Sequence, residues 1–103
     1  MNKLIKTYIG FSIKSSQIII GQDRIKASKN KIELIIYCKT ASENLINLAN
    51  NQAIKHKCKC IMLDDLLENY TNKQGCKIVG LTNRSLVEAI LKQLDNVGER
   101  DGK

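Results

Sequence analysis

Apolar and polar residues alternate along this chain in two rhythms, and the switches between them divide it into nine elements. Residues 2–16 carry Leu4, Ile5, Tyr8, Ile9, Phe11 and Ile13 at mostly helical spacing, with Lys3, Lys6 and Lys14 elsewhere on the turn. This predicts an amphipathic helix that stops near Ser15-Ser16. Gln17 to Ile20 reads as a short strand, because three successive isoleucines favour extended, buried backbone. A basic helix follows at once, from Gln22 to about Ser28, with Asn30 placed for the left-handed residue that ends it. Ile32 to Cys38 is nearly continuous apolar sequence, which predicts a strand buried on both faces and central in its sheet.

Thr40-Ala41-Ser42-Glu43 has the form of a capping box, a hydroxyl followed three residues later by Glu. The helix it opens carries Leu45, Ile46, Leu48, Ala49 and Ala53 at helical spacing and ends near Lys55. Lys57 to Leu63 alternates and then turns apolar, a third strand. Asp64-Asp65 suits the start of a short helix, Leu66 to Tyr70, where negative charge meets the positive end of the helix dipole. Lys77 to Thr82 is a fourth strand. Asn83 is a good N-cap for the last helix, whose apolar face is Leu86, Val87, Ile90, Leu91 and Leu94. The order α-β-α-β-α-β-α-β-α predicts an α/β protein, a three-layer αβα sandwich around a four-stranded mixed sheet. It is read as one domain over residues 1–95, with a flexible charged tail over residues 96–103.

Composition narrows this picture. With 43% hydrophobic and 26% charged residues in 103, the chain is ordinary globular sequence able to bury one modest core. No apolar run approaches the roughly 18 residues of a membrane span, and no secretory signal is evident, so the expectation is a cytoplasmic protein without membrane contact. In that setting Cys38, Cys58, Cys60 and Cys76 are expected as reduced packing residues, and no metal or other cofactor is expected. Catalytic signatures are thin. His56 is the one histidine, expected in solvent among lysines, and both the phosphate-cradling GxxxxGK[ST] and the dinucleotide GxGxxG patterns are missing. The chain is therefore read as non-enzymatic.

Charge is the feature that points to a partner. Residues 1–59 hold eleven Lys/Arg against Asp23, Glu33 and Glu43, a balance of +8, whereas residues 60–103 balance at −1. A positive half in a chain of net charge +7 points to a polyanion. Aromatic residues number four (Tyr8, Phe11, Tyr37, Tyr70), too few for a surface that stacks successive bases. The junction at Gly21 fits the charge. A glycine after a strand permits a tight turn, and the free N–H groups of the helix that follows attract anions.

With the elements in this order, the chain resembles the ribosomal protein L-seven-Ae / L-thirty-e family, small αβα-sandwich proteins that bind kink-turn RNA, and most closely its bacterial YlxQ-type branch. The resemblance covers roughly residues 3–94. Tyr8-Ile-Gly-Phe-Ser-Ile-Lys-Ser-Ser-Gln-Ile-Ile-Ile-Gly21 is similar to the branch's LLGLARRAGKLVLG without a gap. Leu34 to Asn44 (LIIYCKTASEN) resembles the family's strand followed by A-E-D-A-S-E-N, and Lys77 to Leu91 resembles its last strand and helix. The resemblance implies an RNA-facing junction at Gly21, Gln22, Asp23 and Arg24, with Lys26 reaching a phosphate and Lys14 adding charge. It implies a second surface in an apolar loop after the third strand, corresponding to about Ile61, Met62, Leu63 and Asp64, that covers an extruded base. Where kink-turn binders read Gly-x-Asn-Glu, this chain has Gly21-Gln22-Asp23-Arg24; Ile13, Ser16 and Gln17 replace family Arg, Gly and Lys. The implied partner is structured RNA, ribosomal or ribosome-associated, bound by a monomer. The alternative is a structural or assembly protein acting mainly through contacts with ribosomal proteins.

Overall fold

Successive side chains of a strand point to opposite faces of its sheet, so a strand that is apolar throughout needs cover on both sides. A computed structural model, which describes the backbone of residues 3–101 and the side chains of residues 3–94, has this arrangement. The elements are α1 (Lys3–Lys14), β1 (Ile18–Ile20), α2 (Gln22–Ala27), β2 (Leu34–Cys38), α3 (Glu43–His56), β3 (Lys59–Leu63), α4 (Glu68–Thr71), β4 (Ile78–Leu81) and α5 (Arg84–Asp101). The four strands form one mixed sheet in the order β1-β4-β2-β3. β4 runs antiparallel to both neighbours, pairing Gly80 with Ile19 on one side and Ile35 on the other. β2 and β3 are parallel, with Ile36 opposite Ile61. Hence β1, β2 and β3 all point one way and β4 points back.

Two cores lie against the two faces. On one, Leu34, Ile36 and Cys38 of β2 and Val79 and Leu81 of β4 pack with Ile5 and Ile9 of α1, Tyr70 of α4, and Val87 and Ile90 of α5. On the other, Ile35 and Ile78 pack with Ile25 of α2, Ala49 and Ala53 of α3, and Ile32. The protein is therefore an αβα sandwich of the expected class. β2, buried everywhere but at half-buried Tyr37, is central, as its unbroken apolar sequence predicts.

Several local expectations are corrected. On α1, Ile5, Ile9 and Ser12 form the buried stripe, while Leu4, Phe11 and Ile13 are exposed. The stripe is only about one residue in four wide, and Ser12 is tolerated in it because its hydroxyl donates to the Tyr8 carbonyl. α2 stops at Ala27 with Ser28 extended, and Asn30 is not left-handed; among the described residues the non-glycine positions at positive φ are Ser16, Lys57 and Asn72. α3 is capped by Ser42, whose Oγ accepts from Leu45 N at 3.2 Å, rather than by Thr40. Glu43 is already the first helical residue, one position after the cap, so it stands too early to complete a capping box. Asn83 does cap α5, its Oδ1 accepting from Leu86 N at 3.0 Å. That helix continues to Asp101, beyond the boundary expected at residue 95; residues 102–103 lie outside the described residues.

His56 is not a solvated side chain either. Its Nδ1 accepts the backbone N–H of Ile32 at 3.1 Å, tying the end of α3 to the segment that leads into β2. Burial, and then the charges of Lys55 and Lys31, push its pKa below the ordinary value of 6.5. The four cysteines are free thiols. Cys38 and Cys76 are buried in the larger core, and burial raises the Cys60 thiol to about 11. Their environment is that of packing residues.

Candidate functional site

Because β1, β2 and β3 run in parallel, their C-terminal ends meet the start of β4 along one edge of the sandwich. Four connections gather there: the β1–α2 junction, the β2–α3 turn, the β3–α4 loop and the α4–β4 loop. Such an end, where helices depart from strand termini, is where open α/β sheets commonly bind ligands.

Gly21 shapes the junction. Its backbone sits at φ 99° and ψ 148°, where a side chain is strained, so the chain turns from strand to helix with no intervening loop. Its N–H donates to the Ile78 carbonyl at 3.2 Å, and its own carbonyl accepts Ile25 N at 3.1 Å. Glycine offers no side-chain oxygen to cap α2, and no side-chain cap bond is formed there. Ile25, fully buried, anchors the helix to the sheet. Gly80 beneath it leaves room for Ile32: a Cβ there would lie 3.2 Å from two atoms of Ile32, while Ile25, at 3.6 Å, would be in ordinary contact. The first turn of α2 is thereby held flat over the sheet end, with Gln22, Asp23 and Arg24 exposed.

The junction forms one wall of an open concavity of ≈ 530 Å³. Ile20, Gly21, Gln22, Asp23 and Arg24 line one side, Lys73 to Ile78 the other, and Leu45 adds apolar surface from α3. Two further concavities, of ≈ 440 and ≈ 420 Å³, are of similar size, so volume does not single this one out. Charge separates it by one unit: Arg24, Lys73 and Lys77 against Asp23 balance at +2, while the linings of the other two each balance at +1. Among the described residues the ion pairs are Lys31–Glu33 and Arg84–Glu88, so none of these three cations is neutralised by one. Cations outside any ion pair, beside a helix start without a side-chain cap, can accept phosphate groups.

The expected site residues divide. Gly21, Gln22, Asp23 and Arg24 come together as expected, and Lys26 lies exposed one turn along α2, outside the concavity. Lys14 lies at the far end of β1, in a different concavity with Phe11, Gln17 and Asn83. Ile61, Met62 and Leu63 are not a loop: they are strand residues of β3, paired with Ile36, Tyr37 and Cys38. Leu63 is buried and Ile61 packs on the larger core, which leaves exposed Met62 and Asp64. Alternation explains this, since residues 61 and 63 share the strand face that the core covers. The loop itself begins at Asp64 and is organised by Asp65, which accepts from Leu66 N at 2.8 Å and from Asn69 and Tyr70 side chains. Led by the Leu66 N–H bond, these hold its carboxyl below the usual range. That loop and the junction lie at the same sheet end but three strands apart, roughly 14 Å at the usual strand spacing. Sequence reasoning missed Lys73 and Lys77, because a loop has no periodicity to place its side chains; Gly75 between them was the available turn signal.

Among the described residues no helix is long and apolar enough to cross a membrane, and no group of three or more His, Cys, Asp or Glu stands where it could hold a metal ion. No protein-family model and no curated protein matches the sequence. A solved structure described as a protein with unknown function from Bacillus halodurans C superposes with a TM-score of 0.78 at 14% identity, over 92% of this chain and 99% of its own. At that identity the likeness establishes shared architecture: this chain has the αβα fold of that protein over nearly its whole length.

Proposed function

We propose that this protein is a non-enzymatic RNA-binding protein of the cytoplasm, related to the L-seven-Ae / L-thirty-e family, that holds a kinked or bulged structured RNA of the ribosome or its assembly intermediates. The observation that carries the reading is the concavity beside Gly21, where three cations outside any ion pair surround the start of α2. RNA binders commonly select bent or unstacked elements, which concentrate phosphates as a straight duplex does not. Arg24 stands where kink-turn binders carry Glu, which replaces a base-edge acceptor by a phosphate partner. Recognition is thus weighted towards the backbone, with steep salt dependence and modest base specificity.

The test is a gel-shift or calorimetric titration with a kink-turn duplex against a straight duplex of equal length. Tighter binding to the kinked RNA is expected. Arg24→Ala with Lys26→Ala should weaken that binding and flatten its dependence on salt, whereas Lys14→Ala, at the far end of β1, should change neither. Equal, weak binding of both duplexes would reduce the interaction to polyanion attraction and sink the proposal.

A second reading has its own observation. Leu4 and Phe11, two turns apart on α1, are 47% and 52% exposed and form an apolar stripe on the surface. It favours protein contacts within a ribosomal assembly. Co-sedimentation with ribosomal particles that survives RNase treatment and is abolished by Phe11→Ser would support it over direct RNA binding.

A further inference from the structure

We propose that the free edge of β3 pairs with the same edge of a second copy of this chain, giving a two-fold symmetric dimer with one continuous sheet. This dimer does not depend on the RNA-binding reading, and it stands in place of the monomer that the family resemblance implies. β3 comes last in the order β1-β4-β2-β3 and pairs with β2 alone. Alternate backbone groups of such a strand point away from its neighbour, and a row of them is a template for a further strand. Among the described residues, no backbone hydrogen bond beyond the β2 ladder engages Lys59 to Leu63. Edges that stay single are commonly guarded by shortness, proline or charge. β1, at the opposite edge, has three residues; β3 has five, without proline, and Cys60 to Leu63 carry no charge.

Charge names the occupant. The strand is entered through Lys57-Cys58-Lys59 and left through Asp64-Asp65, so a basic end and an acidic end flank an uncharged run. Two copies laid antiparallel about Ile61 set the basic end of each against the acidic end of the other. Lys57 then falls opposite Asp65, and Cys60 opposite Met62; a parallel arrangement would set like charge against like. Lys57, Lys59 and Asp64 are exposed, and none belongs to an ion pair among the described residues. The exposed apolar side chains point to the same edge. Alternation puts Met62, 53% exposed, on the face that Cys60 shares with α3. On α3, which packs over β2 and β3, Leu45 lines the concavity shared with α2. Ile46, Asn50 and Ile54, spaced by four, form the flank away from α2, and Ile54 is 75% exposed. In the paired sheet α3 and its copy would stand two strand spacings apart, roughly 10 Å, the distance at which helices pack. Their two flanks would leave water together, while the two-fold axis sends the Gly21 concavities to opposite ends of the dimer.

Sedimentation equilibrium of the full chain over a concentration series, with hydrogen exchange read at residues 59–63, tests this. A dimer is expected, and the outward amides of β3 should exchange more slowly as concentration rises. Lys57→Glu/Lys59→Glu makes both ends acidic, and Asp64→Lys sets a lysine against the basic end. Each alone should raise the dimer dissociation constant about tenfold. An equimolar mixture of the two variants should pair as tightly as the wild type, because unlike ends meet again, and this recovery also shows that both fold. Met62→Lys, a charge within the uncharged run, should weaken the dimer, whereas Phe11→Ser on α1 should leave it unchanged. A wild type that stays monomeric at every concentration overturns the proposal. So does a dimer that ignores both charge variants, or one lost with Phe11→Ser, which would move the contact to α1.

Discussion

A single backbone torsion decides what kind of site the junction can be. At φ 99° and ψ 148°, Gly21 occupies a region that other residues enter at a cost of about 1–3 kcal/mol. Nothing lies within 4 Å of where its Cβ would stand, so the penalty is backbone strain rather than collision. Gly21→Ala should therefore lower the free energy of unfolding in urea by about 1–3 kcal/mol. A loss near zero would mean that α2 can start in another way. The need for a glycine here is readable from the chain, since only a sharp turn joins Ile20 to a helix beginning at Gln22. What could not be read is the opposite wall, because Lys73 and Lys77 acquire their meaning from an arrangement that spans two separate connections.

Elements obey their periodicities more faithfully than their boundaries. β2 is buried on both faces and α5 is capped by Asn83, as run length and cap chemistry indicate. Thr40 and Ser42 both carry the hydroxyl a cap needs, and choosing between them requires knowing where Glu43 sits. His56 is the larger surprise, because its partner is a backbone amide 24 residues earlier and no pattern in sequence encodes that pairing. Its role has a pH signature. The folded state holds the imidazole below its ordinary pKa of 6.5, and a protonated Nδ1 cannot accept the Ile32 N–H. The unfolded chain therefore binds the proton more readily, so this contribution to stability is complete above pH 6.5 and declines as pH falls below it. Urea midpoints should drop between about pH 7.5 and 5.5, and His56→Gln should flatten that drop. A variant that tracks the wild type across this range would show that the bond does not couple to folding.

At the scale of the molecule, the direction of the strands separates two ends. One gathers Gly21, Arg24, Lys73 and Lys77; the other holds Lys14, Gln17 and Asn83. Basic charge in the amino-acid sequence does not say where a polyanion of the proposed kind would sit; the parallel run of β1, β2 and β3 decides which lysines share an end of the sheet. The three-layer architecture was legible because apolar strands between amphipathic helices have few other ways to bury their faces.

Among the described residues the two cores are unequal, thirteen buried residues against six, and α2 rests on the smaller through one fully buried side chain, Ile25. Local stability follows buried apolar contact, so this layer should open without the rest of the sandwich unfolding. In hydrogen exchange, the amides of α2 should trade with solvent well before those of β2 and β4, and a bound anion should slow them selectively. Uniform protection across the sheet and α2 would contradict this. The layer proposed for recognition would then also be the least protected, and a partner held by Gly21 and Arg24 would act as a clasp on the fold itself.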